Sequence, residues 1–162
     1  INRHLSKLLR NQLNMFEHFF DKDLFLHLSG DITKEDVIKT MYEKAHDKGI
    51  VDERFIDSVL QREEIGDTNM NEVFALPHPM ELCATDTKVV VALLDTPIKW
   101  NESNSIQIVF MLVIKQGEMQ DFEHLYDIFI EIINDNKLEQ KIIDSRTYDE
   151  FINVLYDGIS IE

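Results

Sequence analysis

At 162 residues the chain is long enough for one domain with a full hydrophobic core. Its 44% hydrophobic and 29% charged residues are an ordinary globular balance. Thirty-one acidic against sixteen basic side chains leave a formal charge of −15, which repels phosphate backbones and anionic lipid and so speaks against direct nucleic-acid or membrane-surface binding.

A single cysteine, Cys83, excludes an internal disulfide and a multi-cysteine metal site. The apolar runs at 89–94 and 106–114 are too short to cross a bilayer as helices. No signal peptide is visible, and the first residue, Ile1, is not Met, which suggests a processed chain or a piece of a longer one. The expected division is a leading helix at 1–22, at a junction with an upstream region, followed by one domain at 23–162.

In chain order, Leu5, Leu8, Leu9, Leu13, Phe16 and Phe20 have helical spacing and predict a leading helix over 3–20. An extended piece at 24–28 precedes a second helix over 34–48, with Thr33 as N-cap and Gly49 as left-handed terminator. A third helix over 52–64 carries the apolar stripe Phe55, Ile56, Val59 and Leu60. A loop around 66–69 then leads to a short strand at 73–76. Segments 89–94 and 106–115 are β-branched and almost continuously apolar, the pattern of strands buried on both faces. Helices over 120–135, 138–143 and 148–155 close the chain. The expected class is α/β (α+β): one domain with a central mixed β-sheet covered by helices on both faces.

Chemistry concentrates where the short strand runs into Pro77-His78-Pro79. Each proline fixes its own φ and pushes the preceding residue towards extended backbone, so His78 stands on a restricted mount. That suits a nucleophilic imidazole; a proline-rich strand exit with an incidental histidine is equally compatible with these residues alone. Arg62, on the flank of the third helix's stripe, could reach the strand end or could simply answer the helix dipole. His124, early in the 120–135 helix, reads by itself as a surface histidine, although a helix N-terminus suits a phosphoryl group. Thr68 could cap, bond backbone or touch a ligand, capping being the plainest role. Trp100 and the methionines read as packing, and the acidic residues towards the C-terminus as solvated helix faces. There is no glycine-rich phosphate loop, GxSxG elbow or HExxH.

The stretch Arg62-Glu-Glu-Ile-Gly-Asp-Thr68 followed by Val73-Phe-Ala-Leu-Pro-His78 resembles the enzyme IIA domain of the fructose/mannitol class of the bacterial phosphotransferase system. The offset from Arg62 to His78 is 78 − 62 = 16, and that from His78 to His124 is 124 − 78 = 46; both are offsets of that family. The likeness runs over about 24–155. It implies that His78 accepts a phosphoryl group from phospho-HPr, the histidine phosphocarrier. It also implies that Arg62 and His124 line the site, with Thr68 a weaker phosphate contact and no metal or other cofactor. Asn71 stands where many members have glycine. Pro79, in place of glycine or alanine, is more similar to the IIA-like domains of BglG/LicR/MtlR-type transcriptional regulators.

Three functions follow from the resemblance. The first is a cytoplasmic, phosphorylation-controlled regulatory domain of an activator or antiterminator for sugar utilisation. It would touch HPr and other domains of its own regulator, but neither nucleic acid nor membrane. The second is a transport component passing the phosphoryl group from His78 to a cysteine of a IIB domain. The third is a non-catalytic module that only docks HPr.

Overall fold

Almost continuous apolar content in the two long β-branched segments sets the architecture, because each strand must bury both of its faces. The computed structural model describes residues 18–159, without the side chains of residues 119, 121, 122, 124, 128 and 159. A 3₁₀ turn, Lys22–Leu24, leads into β1 (Phe25–Leu28), α1 (Lys34–Asp47), α2 (Glu53–Ile65) and β2 (Phe74–Ala75). Then come β3 (Lys88–Lys99), β4 (Ser105–Val113), α3 (Met119–Ile133), α4 (Asn136–Ile143) and α5 (Tyr148–Ile159). The strands form one mixed sheet in the order β1-β3-β4-β2. An antiparallel β3–β4 pair is flanked by β1 parallel to β3 and β2 parallel to β4. This is the expected class.

Alternation sorts the core into two layers. Val89, Val91 and Leu93 of β3, with Ile108, Phe110 and Leu112 of β4, face α3, α4 and α5. Val90, Ala92 and Leu94, with Val109, Met111 and Val113, face α1 and α2. The first layer is aromatic. Phe110, fully buried, meets Phe74, Phe129, Phe20 and Phe151 at ring-centroid distances of 4.8, 5.4, 5.7 and 5.8 Å, all edge-on.

Local signals account for the helix ends. Thr33 and Asp36 form a reciprocal capping box at the start of α1, and Gly49, just past its end, has φ +79°. Asp52 caps α2 by accepting from the Arg54 amide.

Four expectations need adjustment. The 24–28 piece is a full member of the sheet, since β3 offers it a parallel edge. β3 runs on through Pro97 to Lys99, with a register shift between Leu93 and Ile98 where the proline cannot donate. β2 shortens to two residues, because Pro77 has no amide for the ladder, although its carbonyl still accepts from the Leu112 amide at 2.9 Å. Glu139 in α4 is buried rather than solvated. The leading helix falls largely on residues 1–17, outside the described residues; Phe19 and Phe20 after them are buried in the aromatic layer. Among the described residues no helix is long and apolar enough to cross a membrane.

Candidate functional site

The segment from Arg62 to Glu81 is fastened at almost every residue, and its fastenings converge on the strand exit that carries His78. At the end of α2 the Arg62 guanidinium folds over the helix terminus, its Nη1 donating to the Gly66 carbonyl at 2.6 Å. The next residue along the helix, Glu63, continues the buried Phe55–Val59 stripe by one turn, and its side chain is only 6% exposed. Its carboxylate accepts from both the hydroxyl and the amide of Thr68, and it pairs with Lys34 Nζ at 2.8 Å. Lys34 also reaches Asp67 at 3.1 Å and lies over the Trp100 ring at 4.7 Å from its centroid. Lys34 and Asn101 together hold the Asp67 carboxyl below the usual carboxylate range.

Thr68 is therefore a buried tie-point and not a helix cap. Its carbonyl accepts the Leu76 amide at 3.0 Å, Asn69 bridges Ala75, and the Met70 amide donates to the Phe74 carbonyl at 2.7 Å. The loop thus lies antiparallel along β2. At its far end Asn71 Oδ1 accepts from the Val73 and Phe74 amides, both at 2.8 Å. Asn71 Nδ2 donates to Glu139 at 2.9 Å. Where a glycine would offer only backbone freedom, this asparagine ties β2 to the opposite helix layer. Burial holds the Glu139 carboxyl above the usual carboxylate range, with the Asn71 amide pulling the other way.

His78 leaves this frame between two buried prolines, itself half-buried. Its Nδ1 lies 2.9 Å from the Leu76 carbonyl oxygen. Beyond it, the Met80 and Glu81 amides donate to the Ser58 hydroxyl at 2.8 and 3.1 Å. Ser58 and Arg62 are one helical turn apart on α2, so one helix face holds the chain after His78 and presents the arginine. The backbone of His124 lies in the second turn of α3, which starts just past the end of β4 that bonds Pro77. The His124 side chain lies outside the described residues. Exposed Met80 and Ile65 flank the region.

Sequence reasoning passed over Glu63, Asn71 and Glu139 as site-forming groups. A signal existed for the first: a carboxylate four residues beyond Val59, on an apolar stripe, has to find a partner. The second and third find each other only through the fold, 68 residues apart.

Residues 18–158 fit the family model of the phosphoenolpyruvate-dependent sugar phosphotransferase system, EIIA 2, and the chain belongs to that family. It is 27% identical over 150 residues to a Bacillus subtilis protein described as "Probable licABCH operon regulator", covering 93% of this chain and 23% of the regulator. It is 25% identical over 125 residues to the mannitol-specific phosphotransferase enzyme IIA component of Bacillus subtilis, covering 75% of this chain and 85% of that protein. The chain thus spans less than a quarter of the regulator it matches and most of the transport component.

Among solved structures, the crystal structure of IIA mannitol from Escherichia coli has the same fold. Its TM-score is 0.70 at 18% identity, covering 83% of this chain and 97% of that one. The complex of enzyme IIAMTL with phosphorylated enzyme IIBMTL from Escherichia coli gives 0.72 at 18%, covering 85% and 99%.

Proposed function

We propose that this domain accepts a phosphoryl group on His78 from phospho-HPr and acts as the phosphorylation-controlled regulatory domain of a transcriptional activator or antiterminator for sugar utilisation. The observation that carries the reading is the 2.9 Å contact between His78 Nδ1 and the Leu76 carbonyl. A carbonyl oxygen can only accept, so Nδ1 carries the proton and Nε2 keeps a free lone pair. Nε2 attacks the phosphorus of the donor's phosphohistidine. A new N–P bond forms, the donor's N–P bond breaks, and its electron pair returns to the carrier's imidazole. The proton stays on Nδ1, donated in a hydrogen bond to the Leu76 carbonyl, which steadies the positive ring.

The transferring group spreads negative charge over its equatorial oxygens and needs fixed donors. Arg62 supplies a planar two-pronged one after exchanging the Gly66 carbonyl for phosphoryl oxygen. His124 contributes a further hydrogen bond from α3. Thr68, whose hydroxyl is given to Glu63, serves by holding the strand exit. The scheme needs no metal or cofactor, and it places the domain in the cytoplasm beside HPr.

The regulatory reading is favoured by the likeness to the operon regulator along 93% of the chain and by Pro79 after the histidine. The charge of −15 suits a domain that signals to a neighbour and leaves nucleic acid to another. Likeness to the mannitol IIA component, and to a IIA solved with phosphorylated IIB, favours a second reading, transfer onward to a IIB cysteine.

Intact-mass spectrometry after incubation with phosphoenolpyruvate, enzyme I and HPr tests the acceptor. One phosphoryl adduct is expected on the wild type and none on His78→Ala. An unmodified wild type beside phosphorylated HPr leaves only the docking module. Rapid loss of the adduct to an added IIB domain selects transport over regulation.

A further inference from the structure

We propose that Glu63 is a positioning residue for His78, acting through Thr68 and Leu76; the inference rests on His78 being the phosphoryl acceptor. The Glu63 side chain is nearly inaccessible, and its charged partner among the described residues, Lys34, has a 20% exposed side chain. A carboxylate placed so is a poor source of stability, because desolvation offsets most of the attraction to the lysine. What it does achieve is geometric. Both donors of Thr68, amide and hydroxyl, end on the same carboxylate, which sets the direction of the Thr68 carbonyl. That carbonyl takes the Leu76 amide at 3.0 Å, while the Leu112 amide holds the Pro77 carbonyl at 2.9 Å. The Leu76 carbonyl lies between these two anchored points and, with Pro77 restricting its ψ, has no freedom to rotate. It is the group that keeps the His78 proton on Nδ1. Loosening Glu63 therefore releases the tautomer and the aim of the imidazole three hydrogen bonds away.

Two readouts test this on the whole protein labelled with ¹⁵N-histidine. In ring ¹H–¹⁵N spectra of the neutral imidazole, wild-type His78 shows the Nδ1–H tautomer. Glu63→Gln and Thr68→Val shift it towards a tautomer mixture, and Thr68→Ser, which keeps the hydroxyl, restores it. The rate of phosphoryl transfer from phospho-HPr falls about 10-fold in Thr68→Val with KM for phospho-HPr unchanged, as expected for a misaimed nucleophile. The double variant Glu63→Gln/Thr68→Val is no slower than the slower single one, since both cut the same chain. A folded Thr68→Val protein with the wild-type ring spectrum overturns the proposal; this variant decides the matter if Glu63→Gln does not fold. An unphosphorylated wild type with the tautomer shifts intact would sink the acceptor reading while leaving the positioning chain in place.

Discussion

The loop between α2 and β2 is gripped from both sides of the sheet, and the two grips differ in charge balance. On the α1–α2 side Glu63 is paired with Lys34, and the same lysine reaches Asp67. On the α4 side Glu139 is as deeply buried but has the neutral Asn71 amide. The first grip is an ion pair whose lysine also holds the Asp67 carboxyl below the usual carboxylate range. The second contains a carboxylate that burial drives towards its neutral form. The charged grip thus rests on a shared lysine, and the neutral grip holds a carboxyl that burial favours in its protonated form.

The largest test of the comparison lies in the two cores. Phe110→Ala removes the ring on which four others converge and should cost about 3–5 kcal/mol. Met41→Ala in the α1–α2 layer should cost about 2–5 kcal/mol. Urea unfolding checks both, and a smaller loss for Phe110 would remove the aromatic layer from its central place. Next comes the site. Arg62→Ala should slow transfer from phospho-HPr about 100-fold, the cost of one lost donor to developing charge. Arg62→Lys should recover only part of this, because a single ammonium lacks the guanidinium's fork. A larger loss in His124→Ala than in Arg62→Ala would move the main electrostatic role to α3.

Smaller effects sharpen the contrast between the grips. Thr33→Ala breaks the capping box of α1, the helix that carries Lys34, and should destabilise by about 1 kcal/mol in thermal or urea unfolding. The last effect depends on pH. Glu139 has a folded pKa raised above 4.5, so the folded protein binds this proton more tightly than the unfolded chain does. Its ionisation lowers stability as pH rises through the folded pKa, and the penalty disappears below the unfolded value of 4.5. Glu139→Gln, which keeps an acceptor for Asn71, should therefore raise Tm near neutrality and leave it unchanged in acid below that value. Asp67 has the opposite sign: its pKa is lowered from 3.8, chiefly by Lys34, so its contribution is present above 3.8 and fades as pH falls through the folded pKa. A Glu139→Gln protein whose Tm gain did not depend on pH would break the contrast.

Much of this was legible in the residues themselves. Almost continuous, β-branched apolar content in 89–94 and 106–115 foretold a sheet buried on both faces, and Thr33 and Gly49 marked the ends of α1. The prolines around His78 marked the strand exit as a candidate, while Arg62, sixteen residues before it, joined it only through the family resemblance. Such features are legible because they depend on periods of two and 3.6 and on backbone restrictions of single residues, all local to the chain. The parallel seat of β1 against β3, the meeting of Asn71 with Glu139, and the lysine shared by Glu63 and Asp67 were decided by the tertiary structure alone. So was the side of the His78 ring that faces a carbonyl. Burial of a carboxylate and the choice of its partner depend on which distant helix covers it, and a tautomer depends on one oxygen held in place by the packed fold.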